Sequence, residues 1–155
     1  MIMKKLILTL TFAITASACT LATADEADGM IRVKSINAVS ATINKLEAAL
    51  TKKGMTIFKR VSHSDGAKKV GLKIRDTELL IFGNPKLGTL LMQCKQSTAL
   101  DLPLKALAYK DENNQVWLAY NDPNYITKRH HIDHCNQVTD KMSKALANFS
   151  KVATQ

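Results

Sequence analysis

The run Leu79-Leu80-Ile81-Phe82, closed by Gly83-Asn84-Pro85, constrains the fold of this chain more than any other stretch. From Thr77 to Phe82 the segment is long enough only for a strand, and it lacks the alternation of a strand with one wet face. Both of its faces are therefore expected to be covered, which makes it a central strand. Gly83 stops it. Asn84 as N-cap, with Pro85 at the first helical position, then starts a helix in which Leu87, Leu90, Leu91 and Cys94 share one face. That helix is expected to pack on the sheet.

The other elements follow from the same periodicities. Ile31-Arg32-Val33-Lys34 alternates apolar and basic residues, as a half-solvated strand does. Ser40 is placed to cap a helix carrying Ile43, Leu46, Ala49 and Leu50 on one face, closed by Lys52, Lys53 and Gly54. Met55 to Val61 reads as a strand, and Ser64 to Val70 as a turn and short helix. Leu104 to Tyr109 and Val116 to Tyr120 flank Asp111-Glu112-Asn113-Asn114 as a hairpin, which Asp122-Pro123 ends. Ile132, Cys135, Val138, Met142, Ala145, Leu146 and Phe149 step by three or four along a last helix. Helices are too few to cover both faces of a sheet. The predicted class is α+β, a small two-layer sandwich with a mainly antiparallel sheet of about four to five strands packed by helices.

At the N-terminus, Lys4-Lys5, an uncharged apolar run from Leu6 to Ala18, and small residues at Ala22-Thr23-Ala24 spell a secretory leader cleaved after Ala24. The apolar run falls short of the roughly 20 residues that span a bilayer. A periplasmic or secreted protein is expected, with residues 1–24 removed, 25–29 a mobile tail, and 30–155 one domain with one core. Ala16-Ser17-Ala18-Cys19 offers the alternative of a lipoprotein anchored through Cys19, although Ala16 stands where Leu is usual. No transmembrane segment is expected after cleavage.

Loss of Lys4 and Lys5 lowers the formal charge from +9 to +7. Such a balance suits anionic surfaces. The basic residues come as scattered pairs, Lys52-Lys53, Lys68-Lys69 and Lys128-Arg129, with no interleaved aromatics, so nucleic acid is not an expected partner. Cys94 and Cys135 are left to form a disulfide if their Cα atoms lie within about 7 Å, or to stay as buried thiols.

Three groups of residues are candidates for chemistry. Asn84, Lys86, Gly88 and Thr89 surround a helix N-terminus, whose free N–H groups and dipole favour an anion. It is not a phosphate-binding loop of the Gly-Lys-Ser/Thr type. His63, at a strand end two residues before Asp65, forms a possible acid–base pair. No Ser or Cys beside them supplies a nucleophile. His130, His131, His134 and Cys135 are the densest set of metal ligands; on a helix, His130 and His134 share one face, His131 and Cys135 the next. A third or fourth ligand is missing. No motif identifies a cofactor, Asp101 before Leu102-Pro103 reads as conformational, and Trp117 reads as core, with a dimer interface or pocket as the alternative.

Phe58 through His63, Ala67, Gly71, Thr77 through Lys86, Gly88-Thr89, Met92-Gln93, Leu100 through Lys105, Val116-Trp117-Leu118 and Tyr120 through Pro123 occur together and in order. In this combination the chain, from about Ile31 to His130, resembles the bacterial and archaeal family known as domain of unknown function 302. Asp76 departs from it, standing where Pro is common. The resemblance implies a small two-layer α/β domain that associates as homodimers, and it implies no reaction. The sequence thus points to an exported binding or accessory domain with a pocket near the Gly83 to Thr89 turn and His63, taking a small anionic or amphipathic ligand. The alternatives are a hydrolase or other acid–base enzyme using His63 and Asp65, and a metal-binding protein using the His130 to Cys135 segment.

Overall fold

The computed structural model describes residues 23–25 and 28–155; of the expected leader, only Thr23 and Ala24 fall within it, and Cys19 does not. The elements in order are β1 (Thr23–Asp25), β2 (Met30–Ser35), α1 (Val39–Lys52), β3 (Thr56–Ser62), α2 (His63–Lys69), β4 (Thr77–Gly83) and α3 (Pro85–Cys94). A 3-10 helix (Gln96–Leu100), β5 (Leu104–Lys110), β6 (Val116–Asn121), α4 (Pro123–Arg129) and α5 (Asn136–Thr154) complete the chain. The strands form one antiparallel sheet in the order β1-β2-β6-β5-β4-β3. The α+β sandwich expected from the sequence is what forms.

Strand alternation sorts the side chains onto two faces. Ile31 and Val33, Leu118 and Tyr120, Ala106 and Ala108, and Leu80 and Phe82 point to one face, where they meet Val39, Ile43, Leu46 and Leu50 of α1 and Leu146 and Ala153 of α5. The opposite face carries Val61, Leu79, Ile81, Leu107, Tyr109 and Trp117, all half-buried. α1 and α5 pack on the first face, and α2 meets β4, whose Thr77 N–H approaches the Ser64 hydroxyl at 3.5 Å. Interior position in the sheet holds for Leu79 to Phe82; cover on both faces does not.

Several boundaries move for local reasons. α1 starts at Val39 with Ala38 as an N-cap that makes no side-chain bond, so Ser40 lies inside the helix. Asp28 and Gly29 make a turn instead of a loose tail: Asp28 accepts from Met30 N–H at 2.9 Å and pairs with Arg32. Gly29, at φ +68°, lies so close to the Tyr125 ring that a Cβ would stand 2.2 Å from it. Asp122-Pro123 ends the hairpin and also starts α4, with Asp122 capping Asn124 N–H at 2.9 Å.

The largest departure concerns α3. Asn84 and Pro85 start it as expected, yet it packs on the 3-10 helix and α5 rather than on the sheet, and Leu90 points to solvent. Leu91 instead joins Ile126, Ile132 and Met142, with Cys94, Leu102, Leu104, Cys135 and Val138 around them, in a second apolar cluster beyond the sheet end.

Two links hold that cluster. Cys94, the last residue of α3, is bonded to Cys135, just before α5, with Cα atoms 6.4 Å apart. Asp101, after the 3-10 helix, accepts from Arg129 at 3.0 and 3.3 Å and from His130 Nε2 at 2.7 Å, which ties it to the end of α4. His130 Nδ1 meets the Ser97 hydroxyl at 2.9 Å. Asp101 and His130 are 9% and 7% exposed, so losing one partner strands the other in a poor solvent.

Two stability predictions follow from these links. Asp101→Ala should lower the unfolding free energy by about 3 kcal/mol in urea melts, because it orphans a buried imidazole; a loss below about 0.5 kcal/mol would contradict the clamp. Joining residues 41 apart in sequence, the Cys94–Cys135 bond should contribute up to about 4 kcal/mol by restricting the unfolded chain. Cys94→Ser/Cys135→Ser should lose a large part of that, and full alkylation of both cysteines in the native, unreduced chain would show the bond absent.

Candidate functional site

Where the two apolar clusters meet, they leave an open cavity of about 310 Å³. Its floor is Leu104 of β5 with Met142, Ala145 and Leu146 of α5; its walls are Met55, Phe58, Leu87, Gly88, Met92 and Leu102. Small side chains make the room. A Cβ on Gly88 would stand 3.7 Å from Leu102, in ordinary contact, and anything longer would extend into the cavity space. Phe58 reaches the rim because β3 carries a bulge between Ile57 and Lys59, which turns its ring over Gly83.

The cavity is overwhelmingly apolar, and its polar groups come from the Asn84 turn. Asn84 Oδ1 accepts from Lys86 N–H at 3.0 Å and Leu87 N–H at 3.3 Å, so the helix start is capped from within. An anion at that point would compete with a side chain already in place. Asn84, Gly88 and Thr89 line the cavity; Lys86 is exposed and stands off its lining. Three of the four residues that the sequence grouped around an anion thus border an apolar hollow, and the one cation among the four does not.

His63 and Asp65 do not join them. β3 pairs Thr56 with Gly83 and Ser62 with Glu78, so His63 and Asn84 sit at opposite ends of the ribbon, about 20 Å apart. His63 is exposed in the first turn of α2, and Asp65 faces Lys68 at 3.1 Å. The Ser62 hydroxyl and the Lys68 ammonium hold the Asp65 carboxyl below the ordinary carboxylate range. Such a group stays ionised at neutral pH and is a poor general base.

The His130 to Cys135 segment is not helical, since α5 begins only at Asn136 and His131 adopts φ +53°. The shared faces expected of His130 with His134 and of His131 with Cys135 therefore do not exist. Both His130 ring nitrogens are engaged by Asp101 and Ser97, and Cys135 is in the disulfide. Among the described residues no three His, Cys, Asp or Glu side chains gather as a metal site.

Sequence reasoning missed the Ser97–His130–Asp101 chain, whose members lie 33 and 29 residues apart. Its groups follow the order of a hydrolase triad, with the Asp101 carboxyl on Nε2 of the imidazole and the Ser97 hydroxyl on Nδ1. Two features make it a tether instead. Arg129 already compensates Asp101, and none of the three residues lines the cavity that would hold an acyl group.

This architecture has counterparts among known proteins. An uncharacterized conserved protein DUF302 from Bacillus stearothermophilus, known from a crystal structure, superposes with a TM-score of 0.74 at 18% identity, over 83% of this chain and 100% of that one. Proteins named fluoride-specific ion channel FluC 1, from Brucella suis biovar 1 and Brucella abortus biovar 1, are each 44% identical over 113 residues, 73% of this chain. The chain spans less than half of those relatives, 44% and 42% of their lengths. With a family profile matched over residues 31–149, this chain belongs to the family described as domain of unknown function DUF302.

Proposed function

We propose that this chain is an exported accessory domain that holds a small apolar or amphipathic molecule in the cavity beside the Asn84 turn. The cavity itself carries the reading: an open hollow of about 310 Å³ with an almost wholly apolar lining, in a domain otherwise packed around two clusters. Met55, Met92 and Met142 contribute flexible, polarisable walls that adjust to an occupant. At the rim, the Asn84 amide nitrogen and the Thr89 hydroxyl can meet one polar end of a ligand. An apolar chain with a hydrogen-bond acceptor at its head suits this lining better than a compact anion.

The accessory role draws on the Brucella relatives, named as fluoride channels. No helix among the described residues of this chain is long and apolar enough to cross a membrane. What the chain shares with those longer proteins supports a role beside a membrane protein rather than conduction by this domain. Export is supported by the Lys4-Lys5, apolar run and Ala22-Thr23-Ala24 pattern. Homodimeric assembly enters from the family resemblance.

Displacement of a fluorescent fatty acid tests the cavity. Gly88→Leu, which extends a side chain into the hollow while replacing glycine inside a helix, should weaken probe binding at least about tenfold and leave the melting temperature equal or higher. Unchanged probe affinity in this folded variant would reject the cavity as the site. Light scattering should give the mass of two chains, and a monomer at working concentrations would remove the homodimer.

A further inference from the structure

The segment joining α2 to β4 reads Val70-Gly71-Leu72-Lys73-Ile74-Arg75-Asp76, after Lys68-Lys69. Buried apolar residues elsewhere explain the fold; here three large apolar side chains face solvent, Val70 at 70%, Leu72 at 66% and Ile74 at 47% exposure. Lys69 precedes Val70, and Lys73 and Arg75 flank Ile74. The two acids beside them are compensated, Asp65 by Lys68 at 3.1 Å and Asp76 by Lys110 at 3.5 Å. Exposing such side chains together costs solubility without helping the core, so their place calls for a partner.

The loop borders the sheet face opposite α1 and α5. Lys73, Ile74 and Arg75 line a shallow depression with Thr77, Leu107 and Tyr109, and Arg75 is anchored there by its Nε–H to the Lys110 carbonyl at 3.1 Å. Strand register puts Arg32, Lys34, Lys59 and Lys105 on the same face as Leu79, Ile81, Leu107, Tyr109 and Trp117. Among β2 to β6 no acidic residue shares that face; at the sheet edge Asp25 of β1 registers with Met30 on it, and Arg32 is already paired with Asp28. One side of the domain therefore combines protruding apolar groups with cations and a half-buried apolar floor.

We infer that this loop, with the adjoining sheet face, docks on an anionic phospholipid bilayer. Val70, Leu72 and Ile74 enter the headgroup boundary, and Lys69, Lys73, Arg75, Lys59 and Lys105 lie against the lipid phosphates. Charge decides against a second copy, because stacking two such faces would oppose like cations across the contact. Ring geometry decides against single-stranded nucleic acid. The Lys34 ammonium sits 5.5 Å over the Trp117 ring, and the indole N–H is held by Asp111 at 2.8 Å, which leaves Tyr109 without a second stacking platform.

Co-sedimentation of the purified chain with vesicles tests this, using equal parts phosphatidylglycerol and phosphatidylcholine against pure phosphatidylcholine. Binding should be at least about tenfold stronger to the anionic vesicles and should fall as salt rises. Val70→Ser/Leu72→Ser/Ile74→Ser should lose about tenfold or more, and Lys69→Glu/Lys73→Glu a similar factor. Both sets of side chains are exposed, so melting temperatures should hold; if one variant fails to fold, the other keeps the test. Equal binding to neutral vesicles, full binding by either folded variant, or tighter capture of a single-stranded oligonucleotide through the same lysines would overturn the assignment. So would a dimer, without vesicle binding, that the triple Ser variant dissociates.

Discussion

A single covered sheet face sets the terms for everything else in this domain. α1 and α5 fill that face side by side, and the row Leu80, Phe82, Ala106, Ala108, Leu118 and Tyr120 is used up beneath them. α3 then has no sheet to lie on. It hangs beyond the strand ends, and its apolar side chains can be buried only by a second cluster built from α4, α5 and the start of β5. A cluster that small does not hold itself together by area alone. The Cys94–Cys135 bond and the Asp101 clamp on Arg129 and His130 supply covalent and polar ties at its two sides.

The cavity is a consequence of that arrangement. Protein interiors normally close to organic-crystal density, and a void survives where two bodies of side chains meet without interdigitating. Here the seam between the clusters is lined by Gly88, Ala99 and Ala145 along with longer residues, and the small ones leave space that Met55, Met92 and Met142 only partly fill. The bulge that lifts Phe58 over Gly83 shapes the mouth. Fold and site thus share one cause, the displacement of α3 from the sheet.

Much of this was legible in the sequence, because it depends on local chemistry. Asn84-Pro85 starts α3, Gly54 at φ +69° follows α1, and Asp111 organises the hairpin turn, all from residues adjacent in the chain. The turn near Asn84 was likewise legible as a helix start, although the state of its backbone was not: groups that look free in a sequence are capped by Asn84 itself. The failures involve distance. Helical periodicity after His130 looked continuous, yet His130 turns away to Asp101 and Ser97, and the helix waits for Asn136. The apolar run at Leu79 to Phe82 signalled two buried faces, whereas the described residues cover one.

The central claim is that an apolar occupant enters the seam between the clusters. Methyl NMR of the chain labelled at its methionines, titrated with a medium-chain fatty acid, reads the seam directly, because Met55, Met92 and Met142 line it while Met30 stands on β2 outside the lining. The account predicts saturable shifts of those three methyl signals with Met30 unmoved. Shifts confined to Met30, or none at fatty acid concentrations that saturate other lipid-binding proteins, would contradict it.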